Sequence, residues 1–175
     1  MKKLSLLFSI FILTFTLSSC SIGEVSMNSF STDNRKIANE QFDKILLAVE
    51  SQDSMALKGL FSKNAIDSSE KLNDEINNLF DYFQVEVIAY DDWGGPNTET
   101  AKNYDGNGHS WQTLRSTYNV ETSGGMYQIA ILTYVKDTNS NNIGINSLYI
   151  TKADDTEKGF AYWGDGNWTP GINIE

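Results

Sequence analysis

At Phe83 the spacing of the apolar residues changes from a helical period to a strand period, and this one change divides the chain into two kinds of structure. Before it, Ala38, Phe42, Ile45, Leu46 and Val49 recur at three- and four-residue steps, as one buried helix stripe requires, with Asp33 placed to cap the helix. A second, short helix is expected from Asp53, carrying Leu57, Leu60 and Phe61. A third is expected from Ser68 or Ser69, with Leu72, Ile76, Leu79, Phe80 and Phe83 on one face.

After Phe83 the residues alternate. Val85, Val87 and Ala89 interleave with Glu86, Ile88 and Tyr90, and Trp93-Gly94-Gly95-Pro96 ends that strand. A Gly/Asn-rich loop is then expected to about Gly108. Strands are predicted over 110–121, 126–136 and 143–153, joined by the turn chemistry of Ser123-Gly124-Gly125 and Asp137–Asn142. A last short strand is expected at Phe160–Trp163. Helices in front and an antiparallel meander behind predict an α+β domain, the helices packed on a curved antiparallel sheet of four or five strands.

The first twenty residues form a separate unit. Lys2 and Lys3 precede an uncharged apolar run from Leu4 to Leu17, and Leu17-Ser18-Ser19-Cys20 follows. The run is too short to span a bilayer, which takes about 20 apolar residues, but matches the core of an export signal. Leu17-Ser18-Ser19-Cys20 resembles a bacterial lipobox. That resemblance implies cleavage before Cys20, acylation of its thiol, and attachment to the outer face of the cytoplasmic membrane. The expected organisation is a signal peptide at 1–19, a lipidated N-terminus and aperiodic tether at 20–32, and one domain at 33–175. Cys20 is the sole cysteine, so it has no disulfide partner in the chain.

Residues 1–19 hold two of the 13 basic residues and none of the 23 acidic ones, so residues 20–175 carry a formal charge of about −12. Such a surface repels nucleic acid, and no nucleic-acid partner is expected.

The order of elements over residues 33–165 resembles the nuclear transport factor 2-like (cystatin-like cone) superfamily. In addition, Asn142-Ile143-Gly144-Ile145-Asn146-Ser147-Leu148-Tyr149-Ile150 and Ala161-Tyr162-Trp163-Gly164…Trp168-Thr169-Pro170-Gly171-Ile172 resemble a lipoprotein family of low-GC Gram-positive bacteria. The resemblance implies a lipid anchor and a cone with one open mouth. It brings no activity and no catalytic residues.

Chemistry is sparse. His109 is the single histidine, beside Asp105 and Ser110, and no Gly-x-Ser-x-Gly elbow accompanies it. With Cys20 assigned to lipid, a zinc site built on His and Cys is excluded. Asp137-x-Asn139-x-Asn141 opens like an EF-hand loop, but Asn142 stands where glycine is needed and Leu148 where glutamate is needed. Asp105-x-Asn107-x-His109 fails in the same way, ending at Ser116. Both read as turns, and neither a metal nor a cofactor is expected. An acid–base enzyme would draw on Glu86, Asp91, Asp92, Tyr118 or Tyr134.

The aromatic residues are the better guide. All four tryptophans lie in the strand half. Trp93 and Trp168 sit in Gly-rich loops, placed either to rim a pocket or to plug the cone mouth. Trp93, His109, Trp111, Tyr118, Trp163 and Trp168 are the candidate ligand-binding residues. The expectation is a non-catalytic extracytoplasmic binding module for a small molecule, peptide or envelope protein. The alternatives are a small hydrolase or isomerase using the same cavity, or a structural subunit of an envelope assembly.

Overall fold

The computed structural model of the chain describes residues 24–29, 32–83, 86–93, 95–152 and 168–174. Cys20, the leader, Trp163 and the strand expected at Phe160–Trp163 lie outside the described residues.

Four helices come early: α1 (Thr32–Glu50), α2 (Ser54–Lys58), α3 (Lys63–Ser68) and α4 (Leu72–Tyr82). Local chemistry sets the short ones. The Asp53 carboxylate accepts from the Ala56 N–H at 2.9 Å, and the Ser62 hydroxyl accepts from the Ala65 N–H at 3.1 Å. Each bond satisfies a backbone donor that a helix start leaves without a partner. The predicted stripes of α1 and α4 are buried in full, from Ala38 to Val49 and from Leu72 to Phe83.

The strands are β1 (Glu24–Ser29), β2 (Val87–Asp92), β3 (Asn97–Lys102), β4 (Trp111–Thr122), β5 (Gly125–Asp137), β6 (Gly144–Lys152) and β7 (Gly171–Ile174). Six of them run in the order β1-β3-β4-β5-β6-β7, and β2 lies beside β3 on the same edge of β4. The β6–β7 pair is parallel and every other strand pair is antiparallel.

This corrects the expected fold. The sheet is larger than four or five strands, it is mixed rather than antiparallel, and three of the four helices are short. Three strands escaped the pattern for identifiable reasons. β3 reads Asn-Thr-Glu-Thr-Ala-Lys, with one apolar residue, and lies in the stretch expected to be loop. β1 lies in the expected tether, and its small polar residues are held by pairing along β3 from Glu24↔Lys102 to Ser29↔Asn97. β7 is only Gly-Ile-Asn-Ile, and its partner is the edge of β6.

The helices cover one face of the sheet. Phe42 and Ile45 of α1 and Ile76 and Leu79 of α4 pack with Tyr118, Ile129, Ile131, Leu148 and Ile150 in a single core cluster. That side is filled by side chains. The expected open cone is replaced by a helix layer packed on a sheet, and the chemistry lies elsewhere.

Candidate functional site

Alternation along β4 sends Trp111, Thr113 and Arg115 to the face opposite the helices, since Leu114, Ser116, Tyr118 and Val120 point toward them. The β4–β5 register carries the same face into β5, with Thr113 opposite Tyr134 and Arg115 opposite Leu132. Glu99 of β3, opposite Thr113, shares it. Side chains far apart in sequence thus form a row across the sheet.

At one end, Trp111 contacts Tyr134 edge-on, with ring centroids 6.3 Å apart. In the middle, Arg115 Nη2 donates to Glu99 Oε2 at 2.7 Å, and the guanidinium carbon stands 5.8 Å from the centre of the Trp168 ring. At the far end, Trp168 meets Tyr149 edge-on at 5.7 Å. The Ser147 hydroxyl donates to the Trp168 carbonyl at 2.7 Å, and the Thr169 N–H donates to the Tyr149 hydroxyl at 2.7 Å. These bonds fix Trp168, whose φ of +52° is left-handed.

The row begins in a cleft. Residues 100–102, 110–112 and 136–138 enclose about 390 Å³ where β3, β4 and β5 end, with Trp111 as its aromatic wall. Lys102 and Lys136 both line it, and neither forms an ion pair among the described residues. Asp137, also in the wall, has its oxygens engaged: Oδ1 accepts from the Asn139 N–H at 2.7 Å and Oδ2 from the Asn142 amide at 3.0 Å. Lys136 shares its sheet face with Gln112, and Lys102 alternates with Ala101, so the two cations border the cleft from the face opposite Trp111 in a chain of formal charge −10.

Buried polar atoms mark the same face. Thr113 Oγ1, Arg115 Nε and Gln128 Oε1 have no hydrogen-bond partner among the described residues. A buried polar group in that condition costs about 1–3 kcal/mol. Burial pushes the Tyr134 phenol above its ordinary value, and the charges of Asp137 and Glu99 push the same way.

The structure brings together only part of the candidate set. Trp111 and Trp168 share the row. Tyr118 points to the opposite side, fully buried, with its ring stacked on Phe42 at 3.8 Å and its hydroxyl donating to Asn39 Oδ1 at 3.0 Å. Trp93 is exposed just after β2. His109 lies in the exposed 103–110 loop, its Nδ1 2.5 Å from Asp105 Oδ2. The Asn107 N–H, bonded to Asp105 Oδ1, holds that carboxyl below the usual carboxylate range.

The acidic loops are turns. Asp105 and Asp137 each accept from the backbone N–H two residues on. The other acid–base candidates do not converge: Glu86 and Asp91 are exposed, and Asp92 pairs with Arg35 at 3.2 Å. No group of three or more His, Cys, Asp or Glu suited to a metal ion occurs among the described residues.

Arg115, Glu99, Lys102 and Lys136 were not expected in a site. Trp111-x-Thr113-x-Arg115 carried a readable signal, because alternation alone puts all three on one face. Glu99 and Lys102 carried none, since their strand was not recognised.

Among the described residues no helix is long and apolar enough to cross a membrane. None of the curated proteins matches the chain. Residues 44–153 match the domain of unknown function DUF5104, well over half of the 175 residues, and the chain belongs to that family.

Proposed function

We propose that the protein is a lipid-anchored extracytoplasmic binding protein without catalytic activity, which takes a small anionic molecule with a flat apolar face into the Trp111 cleft. One observation carries this reading: Lys102, Lys136 and Trp111 all line one cleft of about 390 Å³ at the strand ends, Trp111 from one face of the sheet and the lysines from the other. An indole face accepts apolar or ring surface, and ammonium groups at the same strand ends accept charge. The Arg115–Trp168 pair continues the polar and aromatic surface away from the cleft.

The anchor rests on Leu17-Ser18-Ser19-Cys20 after the apolar leader. An acyl chain on Cys20 would hold the protein at the outer face of the cytoplasmic membrane, with the bilayer as its first partner. Replacing Cys20 by Ala should release the protein from the membrane fraction. Retention of the variant there would refute the anchor.

The binding reading is tested by thermal unfolding of the full-length chain with naphthalene-1-sulfonate and, separately, with the neutral 1-naphthylmethanol. The anionic probe at a hundredfold excess over Kd should stabilise by about 2.7 kcal/mol, which raises the midpoint by roughly 5–10 °C in a chain of this size. Trp111→Ala should abolish the shift, and the Lys102→Gln/Lys136→Gln pair should erase the preference for the anion. Equal stabilisation by both probes, or a shift that survives Trp111→Ala, counts against the proposal.

A further inference from the structure

A second surface lies on the helix side of the molecule, away from the cleft. Between α1 and β2 runs a groove of about 480 Å³, with Asp43, Leu47 and Glu50 on the helix wall and residues 87–90 on the strand wall. Four consecutive strand residues can line one groove only if it follows the edge of the strand, because alternate side chains point to opposite faces. The groove therefore opens onto backbone.

The direction of that backbone follows from one bond. Trp93 N–H donates to the Thr117 carbonyl of β4 at 2.9 Å. Backbone groups of an antiparallel strand alternate between its two edges. Asp91 and Ala89, paired with Asn119 and Glu121, thus turn toward β4, and the N–H and C=O of Tyr90 turn away from it. Among the described residues no strand pairs with this outer edge.

Two large apolar side chains flank the edge in solvent. Leu47 on the helix wall is 67% exposed, and Ile88 on the strand wall is 62% exposed. Scattered exposed apolar residues are ordinary, but these two face one groove. Its charged lining is wholly acidic, Asp43 and Glu50, and exposed Glu86 and Asp91 flank it. Lys44 follows Asp43 on α1 without lining the groove, and Arg35 is engaged by Asp92.

We infer that this groove binds an extended, basic amphipathic segment of another protein, which adds as a strand to the outer edge of β2. Backbone hydrogen bonds to Tyr90 supply the register. Apolar residues of the segment cover Leu47 and Ile88, and its cations meet Asp43 and Glu50. Strand addition of this kind takes affinity from the main chain and specificity from alternate side chains. A second copy of the chain is the poorer occupant. Pairing β2 with β2 would gather both copies of Glu86, Asp91 and Asp92 along one seam, and like charges close across strands disfavour the pair. Acidic residues also guard a free edge against self-association, but that role does not require Leu47 and Ile88 to stand in solvent beside it. The inference is independent of the Trp111 cleft.

The test uses the full-length chain in non-ionic detergent and a fluorescein-labelled decapeptide of alternating lysine and valine, read by fluorescence anisotropy. Saturable binding is expected. It should weaken about tenfold or more when the peptide is fully N-methylated, when its lysines become glutamates, or when the protein carries Leu47→Arg. Glu50→Gln should weaken it by a few-fold and reduce its salt dependence, and Trp111→Ala should leave it unchanged. Both exposed groove substitutions should leave the thermal midpoint within about 2 °C of the parent. Absence of saturable binding overturns the inference, as does equal binding of the N-methylated or glutamate peptide, or insensitivity to Leu47→Arg. Sedimentation showing a dimer abolished by Ile88→Arg would assign the edge to a second copy and overturn it equally.

Discussion

Phe42 and Tyr118 stack with ring centroids 3.8 Å apart and planes within 2° of parallel. The contact clamps the middle of α1 to the middle of β4, and the Tyr90 ring closes against both from the side, at 4.9 and 5.8 Å. Both stacked residues are fully buried. Phe42→Ala should therefore cost about 3–5 kcal/mol by urea denaturation, the range for removing a buried aromatic side chain. Tyr118→Phe keeps the ring, removes the hydroxyl with its bonds to Asn39 and Ser116, and should cost about 0.5–1.5 kcal/mol for each. Equal losses in the two variants would show that the hydrogen bond, and not the stack, holds α1 in place.

Gly144 begins β6 with a φ of +125°. A Cβ there would lie 2.8 Å from the Ser62 N and 3.1 Å from the Leu60 O, both backbone atoms. The approach is close because Ser62 N–H donates to the Ile145 carbonyl and Ile145 N–H donates to the Leu60 carbonyl. Gly144→Ala should cost more than the roughly 1 kcal/mol of an ordinary glycine-to-alanine conflict, since backbone has to move as well as φ. The check is the urea midpoint. A variant as stable as the parent would mean that the 60–62 segment yields freely.

Much of the helical half was legible because burial there follows a period. Phe42, Ile45, Leu72, Ile76 and Leu79 could hardly serve another arrangement. The central hairpin was legible too. The Ser123-Gly124 turn sets Thr122 opposite Gly125, and counting back from there puts Thr113 opposite Tyr134. What failed was whatever depends on irregularity or on polar strands. Register shifts between Val87 and Ala89 on β2 and between Tyr134 and Lys136 on β5 move side chains relative to strict alternation. β3 exists because β1 and β4 flank it, and six mostly polar residues announce no such partners. The site suffered the same way. Trp111 and Trp168 stood out as aromatic residues of the strand half, but Lys102 and Lys136 come to the same strand ends as Trp111 only through pairing of β3 with β4 and β4 with β5.

Tyr90 and Asp43 make the alkaline limit of the fold testable. Their 2.5 Å hydrogen bond, together with burial and the charges of Asp43 and Asp92, pushes the Tyr90 phenol up to about 12 from an ordinary 10.0. The folded chain thus holds this proton more tightly than the unfolded chain. The stabilisation is complete below about pH 10 and is lost as pH rises through about 12. Asp43→Ala removes both the hydrogen bond and the charge. It should return the Tyr90 step toward its ordinary range, seen as an earlier rise of tyrosinate absorbance and a flatter fall of stability in the alkaline limb. If the titration curve is unchanged in Asp43→Ala, another group sets the phenol.

Glu75 ties the last strand to the helix layer. Its Oε2 accepts from the Ile172 N–H at 2.9 Å, and its Oε1 accepts from the Ser69 hydroxyl at 2.9 Å. β7 has four residues and one parallel partner in β6, and Glu75 holds its start from the helix side. A Cβ at Gly171 would fall 2.4 Å from the same Oε2, so a residue with a side chain there would displace the carboxylate. Hydrogen bonds to charged groups contribute about 1.5–3 kcal/mol each, and Glu75→Ala removes both of these without truncating a residue of the apolar core. The loss should be local: faster hydrogen exchange at Ile172, Asn173 and Ile174, with the amides of β4 and β5 protected as before. Glu75→Gln keeps an acceptor oxygen and should show a smaller effect. Uniform acceleration across the sheet would show instead that β7 belongs to the cooperative core, and that Glu75 stabilises the whole fold rather than latching one strand.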